Sequence, residues 1–212
     1  MGPAAGQPED KHMDRERLEA GIEGIRHLLS HLHGEVTTLE ESYSQVLLVL
    51  RRLESACDID DLTKLLRRKA FFGKWNALLD ECRKLGESCG MILVDIDHFK
   101  KINDTLGHPA GDEVIKRVSG ILKKFESPAC AVGRYGGEEF AMAVRGSEAE
   151  ILGIAELVRK TTEQDCAEWK CTVSVGVAAA AVTGYDADKT LKSADEALYS
   201  AKNGGRNQVV YA

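Results

Sequence analysis

The chain has no apolar run of transmembrane length and no recognisable signal peptide. No membrane segment is therefore expected in this chain. Its 6 cysteines, at 57, 82, 89, 130, 166 and 171, form no CxxC pair. A zinc site or disulfide framework is therefore not indicated, and a reducing cytosol is the simpler setting. A basic excess is missing too: 28 Lys and Arg face 34 Asp and Glu, giving a net charge of −6. That balance argues against a nucleic-acid surface, and an anionic substrate would need local cations or a metal ion. Internal repeats and low-complexity tracts are absent beyond the opening MGPAAGQPEDKHM, read as a flexible leader or residues added for expression, 1–13. What remains is 212 residues with 43% hydrophobic content, enough for one medium domain and an accessory segment.

The accessory segment comes first. Leu18, Ile22, Ile25, Leu29, Leu32, Val36, Leu39, Tyr43, Val46, Leu50 and Leu53 alternate spacings of four and three, with Cys57 next in phase. A sustained period of 3.5 is an a/d seam, which winds helices around each other rather than wrapping a globule. The spacing predicts a parallel dimerising coiled coil over 14–58. An amphipathic helix packed on its own domain, or a hairpin turning at Gly34, are the other arrangements, though the phase runs through that glycine. His27, His31 and His33 fall at f, c and e positions, away from the seam. Without a carboxylate or cysteine shell they read as solvated side chains.

From residue 59 onward helices alternate with short strands. Helical spacing covers 62–85, 109–125, 147–164 and 186–203; strands are expected at 90–97, 171–180 and 207–212, with a hairpin over 129–144. This alternation, with one clear hairpin, indicates an α/β or α+β layered domain over 59–212.

Two segments carry chemistry. In VDIDHFKKIND a buried strand delivers Asp95 and Asp97 at its end, and a helix starts just beyond. Carboxylates there suit Mg²⁺, and the amides of His98, Phe99 and Lys100 can cradle phosphate; the same acids could equally be helix caps. In CAVGRYGGEEFAMAV, Gly136 and Gly137 would let a phosphate approach the backbone. Glu138 and Glu139 would point to opposite faces if the strand were regular. Two acids from separate strands can hold metal ions beside a triphosphate and activate a hydroxyl.

These residues resemble the GGDEF family of diguanylate cyclases. RYGGEEF (134–140) is similar to the family signature in its GGEEF variant; DDLTKLLRR (60–68), DIDHFKKINDTLGHPAGDEV (95–114) and AKNGGRN (201–207) resemble its other motifs, in the right order. The likeness runs from about Asp60 to Ala212. It implies a mostly antiparallel central sheet flanked by helices, similar to the nucleotidyl cyclase and polymerase palm. It further implies condensation of two GTP into cyclic di-3′,5′-GMP with release of two pyrophosphates. Each domain would bind one GTP and face a second domain, brought to it by the coiled coil. By resemblance, Asp95, Glu139 and the Ile96 carbonyl would hold Mg²⁺ or Mn²⁺, two ions per site, with Glu138 near the ribose 3′-hydroxyl and the metal. Which of the two glutamates does which remains open. Phe99 and Lys100 would contact phosphate, with Gly136 and Gly137 at the backbone approach. Lys202 and Arg206 would balance the β- and γ-phosphates. Asn103 and Asp112 would read guanine, with His108 lining the pocket. The compartment implied is a bacterial cytoplasm, with input from an upstream sensory domain or a partner.

Some positions depart from the family pattern. Ser127 and Cys130 stand where many members carry the Arg and Asp of an RxxD product-inhibition site, so feedback there is not expected. Lys64 and Arg67 replace the usual glycine and asparagine of the N-terminal motif. A catalytically silent nucleotide receptor and a coiled-coil adaptor are the competing functions. The intact acids at 95, 138 and 139 favour the enzyme.

Overall fold

The computed structural model describes residues 8–56 and 58–212, which separate into two compact units dividing after Glu54. The first is one helix, α1 (Pro8–Ala56), unbroken through Gly34, so the hairpin arrangement does not occur. It begins inside the expected leader, with Pro8 in its first turn, where no intrahelical N–H is needed. Residues 1–7 and Cys57, the last seam position, lie outside the described residues. The described seam side chains face solvent: Ile25 is 59% exposed, Leu29 60%, Val36 52% and Tyr43 64%. His27, His31 and His33 are exposed, and His31 Nδ1 lies 3.5 Å from a Glu35 carboxylate oxygen.

The second unit is a six-stranded sheet with helices on both faces. In chain order it comprises β1 (Leu66–Arg67), α2 (Arg68–Leu85), β2 (Cys89–Ile96), α3 (Phe99–Leu106), α4 (His108–Lys123), β3 (Cys130–Arg134) and β4 (Glu139–Arg145). Then come α5 (Glu148–Asp165), a 3₁₀ turn (Ala167–Trp169), β5 (Val173–Ala179), α6 (Ala187–Asn203) and β6 (Val209–Tyr211). The strand order is β1-β3-β4-β2-β5-β6. The three central pairings are antiparallel and the two outer ones parallel, the mixed sheet of the expected class.

β2 is central and every one of its residues is buried. Alternation along it divides the core. Ile92, Val94 and Ile96 join Val114, Val118 and Leu122 of α4 and Ile151 and Val158 of α5. Met91 and Leu93 join Phe71, Trp75 and Leu79 of α2 and Leu198 of α6. At ~25 cal/mol per Å² buried, this apolar area is the main stabilising term of the unit. Gly176 of β5 lets α6 lie close: a Cβ there would sit 2.8 Å from the Leu198 Cα.

The first helix of this unit starts six residues later than its spacing suggests. Residues 62–67 instead form a turn and the short strand β1, which pairs with β3. The Asp60 carboxylate fixes the turn by accepting from the Thr63 amide at 2.9 Å and hydroxyl at 2.8 Å. Lys64, where the family pattern has glycine, takes φ +57°, which no helix interior permits.

Candidate active site

The antiparallel register of β2 and β4 sets Asp95 opposite Glu139. Asp95 is 7% exposed. Burial pushes its carboxyl up from an ordinary value of 3.8 to about 6; the bond and charge of Lys202 pull against that, and Glu138 and Glu139 add to it. Lys202, in the last turn of α6, places Nζ 2.8 Å from Asp95 Oδ2. A cation is favoured at that helix end by the peptide dipoles.

Glu138 lies in the bend before β4, which begins at Glu139, and its carbonyl accepts from the Ile96 amide at 3.3 Å. The charges of both glutamates act on Asp95. Gly136 and Gly137 also differ from each other. The space a Cβ would need at Gly136 is taken by the Glu139 carboxylate, whereas at Gly137 nothing lies within 4 Å. Of the two, Gly137 is the open backbone position.

Arg134 holds this bend from below. Its guanidinium donates to the Gly136 carbonyl at 3.2 Å, to the Gly137 carbonyl at 2.7 Å and to Asp60 Oδ1 at 3.0 Å. Burial raises the Asp60 carboxyl, but the Thr63 and Arg134 bonds outweigh it and hold the group below its ordinary value. The N-terminal motif thus reaches the GG turn through one ion pair.

The remaining expected residues lie on α3, on α4 and just after α6. Phe99, Lys100 and Asn103 are on α3, His108 and Asp112 on α4, and Arg206 in the turn after α6. Gly111 packs α4 onto α3: a Cβ there would lie 3.0 Å from Asn103 Cγ and 3.1 Å from Phe99 Cζ. Asn103 and Phe99 are thereby brought beside the turn carrying Asp112. Lys100, His108, Asp112 and Arg206 are exposed and make no ion pair among the described residues.

A second centre was not legible beforehand. Asp97, 3% exposed, accepts from Ser174 Oγ at 2.7 Å, Thr172 Oγ1 at 2.7 Å and the Asn207 amide at 3.0 Å. Asn207 Oδ1 also accepts from Arg159 at 2.7 Å, and its side-chain amide donates to Glu163 at 2.8 Å. Arg206 and Asn207 both have positive φ, 66° and 45°. These bonds fix a left-handed turn that carries Arg206. The repeated acid in DID was the available signal, but its alternation treats both aspartates alike.

Ser127 and Cys130 close a tight turn by exchanging backbone bonds, each 3.0 Å. Ser127 is exposed; burial pushes the Cys130 thiol up to about 12, so it stays neutral. Neither side chain supplies a charge to this turn.

The donor set fits a hard divalent cation. Asp95 and Glu139 offer two carboxylates from adjacent strands, and Lys202 balances only part of the charge they share with Glu138. Among the described residues no group of three acidic, His or Cys side chains forms a closed cage. A site with two carboxylates leaves positions for water and phosphate oxygens, as Mg²⁺ prefers.

Residues 57–208 match the family described as "Diguanylate cyclase, GGDEF domain". The chain is 37% identical over 169 residues to the probable diguanylate cyclase DgcT of Escherichia coli, covering 76% of this chain and 37% of that protein. It is 37% identical to the response regulator PleD of Caulobacter vibrioides over 163 residues, 71% of this chain and 35% of that one. It thus spans little more than a third of those two relatives. Among solved structures, the coiled coil and GGDEF domain of DgcB from Caulobacter crescentus, in complex with c-di-GMP, is similar with TM-score 0.72 and 30% identity, over 85% of this chain and 99% of that one. Diguanylate cyclase SiaD of Pseudomonas aeruginosa, in complex with its activator SiaC, is similar with TM-score 0.67 and 27% identity, over 96% and 80%. No helix among the described residues is long and apolar enough to cross a membrane. With four motifs in order, a mixed sheet bearing the acids at its end, and a family match across most of its length, the chain belongs to the GGDEF family of diguanylate cyclase domains.

Proposed function

We propose that this chain condenses two GTP molecules into cyclic di-3′,5′-GMP. In each half-reaction a ribose 3′-oxygen attacks the α-phosphorus of the other GTP. A 3′,5′ phosphodiester forms, the α–β anhydride breaks, and pyrophosphate leaves. The observation that carries the reading is the pair of acids at the end of β2 and β4, Asp95 opposite Glu139, with Glu138 next in the chain and Lys202 reaching in from α6.

Each residue has a task in this reading. Asp95, Glu139 and the Ile96 carbonyl would hold the divalent cation, Mg²⁺ or Mn²⁺ and two per site, with Glu138 alongside. When bound, that cation neutralises triphosphate charge and lowers the pKa of the attacking hydroxyl. Glu138, in the bend before β4, accepts the 3′-hydroxyl proton. Phe99, Lys100 and the backbone of the Gly136–Gly137 bend, open at Gly137, orient phosphates, and Lys202 and Arg206 offset charge on the leaving pyrophosphate. Asp112 accepts from guanine N1–H and the 2-amino group, donors that adenine lacks; Asn103 reads the same base and His108 lines its pocket.

One domain binds one GTP, so two must meet. The exposed seam of α1 supports a parallel homodimer that holds the second domain at high effective concentration. Stalk register or splay then sets how the domains meet, with input from a partner or an attached sensory segment in a bacterial cytoplasm. The activator bound to SiaD supports control of this kind. The uncharged turn at Ser127 and Cys130 supports the absence of high-affinity product feedback there.

The test is incubation of the full chain with GTP and Mg²⁺, with products identified by mass spectrometry. Cyclic di-GMP is expected, falling by roughly a thousandfold in Glu139→Ala. Unchanged GTP sinks the proposal. ATP run in parallel should yield no cyclic di-AMP.

A further inference from the structure

Lys202 is drawn in two directions. Its ammonium is the one ion-pair partner of Asp95 among the described residues, 2.8 Å from Oδ2. In the reaction proposed above, the same ammonium is needed at the triphosphate. Its side chain is 33% exposed while that of Asp95 is 10% exposed. The carboxylate is therefore fixed by the sheet, and the lysine arrives on a flexible stem from the end of α6. A divalent cation at Asp95 would repel Lys202, and an incoming triphosphate would attract it.

We propose that Lys202 is an exchangeable counter-ion, held by Asp95 until a divalent cation takes the carboxylate and handed then to the phosphates of the nucleotide. This rests on the reading of Asp95 as a cation ligand. Its consequence is a thermodynamic coupling built from one side chain. A divalent cation binding alone must push Lys202 into water and forgo a partly buried ion pair. When it binds with nucleotide, the lysine passes from one anion to another and the loss disappears. Cation and nucleotide therefore strengthen each other's binding, by the same factor in both directions. The site would reject free metal ions and accept them with substrate. This also explains why a lysine suits the position: a point charge with freely rotating donors changes partner more readily than a bidentate arginine.

The experiment measures Mn²⁺ binding to the full chain by electron paramagnetic resonance, with and without α,β-methylene-GTP, which cannot release pyrophosphate. Without nucleotide, Lys202→Met should bind Mn²⁺ more tightly than the wild type, by on the order of tenfold. The analogue should tighten Mn²⁺ binding more in the wild type than in Lys202→Met. Weaker or unchanged Mn²⁺ binding in Lys202→Met overturns the proposal. So does a gain that persists in Lys202→Met with Asp95→Asn, because it would arise elsewhere. Should Lys202→Met fail to fold by its melting curve, Lys202→Gln carries the same comparison. Product formation by the wild type separates the two ideas. Cyclic di-GMP synthesis without the Mn²⁺ gain sinks the exchange alone. The Mn²⁺ gain without synthesis sinks the cyclase reading alone.

Discussion

The two units of the chain treat their apolar residues in opposite ways. In the sheet unit Ile92, Val94, Met142 and Val175 are 0% exposed, sealed between two layers of helices. In α1, Ile25, Leu29 and Leu32 are 55 to 60% exposed although their spacing is as regular as any in the chain. One unit satisfies its hydrophobic pattern within itself; the other leaves it exposed along the helix, where the proposed pairing would cover it. On that proposal stability and assembly are written in separate stretches, and a mutation can strike one without the other.

The sharpest way to break that division is to charge the seam. In Leu29→Asp with Val36→Asp, the stalk pair loses two apolar layers per helix while no residue of the sheet unit changes. Cyclic di-GMP synthesis at low micromolar protein should fall by roughly 10²-fold or more, because tethering supplies millimolar effective concentrations. Activity per chain should rise as protein concentration is raised, and the melting of the sheet unit should stay in place. If synthesis at low micromolar concentration stayed at the wild-type level, the two-domain requirement or the stalk's part in it would be wrong.

A change confined to the sheet unit should do the reverse. Asp97→Asn removes charge from an acceptor buried among three donors and leaves an amide that must turn a donor toward one of them. The expected loss is about 3 kcal/mol of stability. Synthesis should fall at every protein concentration, since the turn carrying Arg206 loosens, and sedimentation should show the same assembly as wild type. A melting temperature equal to wild type would refute the structural role of Asp97.

Much of this architecture was legible because it depends on local periodicity. The seam, the buried strand over 90–97 and the helix with the Ser147–Glu150 capping box follow from spacings within a few residues. The acids of the site were legible through their motifs. What was not legible depends on distant partners. Asp97 looks like Asp95 in sequence, and its role is set by groups 75, 77 and 110 residues away. The late start of α2 is dictated by Asp60, Arg134 and pairing to β3 rather than by helical spacing. The bend before β4 is held by Arg134, which bonds the carbonyls of Gly136 and Gly137 from the far side of the hairpin.

The smallest effect separates Asp95 from Asp97 within one strand end. Asp97 is matched by donors, whereas Asp95 is ionised at a cost: burial and two neighbouring glutamates raise its carboxyl to about 6, and Lys202 only partly offsets them. A folded-state value above the unfolded one favours folding fully below about pH 4, and that contribution is lost as pH rises through about 6. At pH 7.5, in EDTA and without nucleotide, the charged Asp95 therefore weakens the fold. Asp95→Asn should raise stability there by on the order of 1–2 kcal/mol, the loss of the Lys202 pair being already contained in the raised value. The gain should vanish by pH 4, where the wild-type carboxyl is already protonated. Melting curves at the two pH values decide it: a variant less stable than wild type at pH 7.5 would mean that the Lys202 pair outweighs burial. Asp95 would then stabilise the fold as Asp97 does, and the site would hold no strain for a cation to relieve.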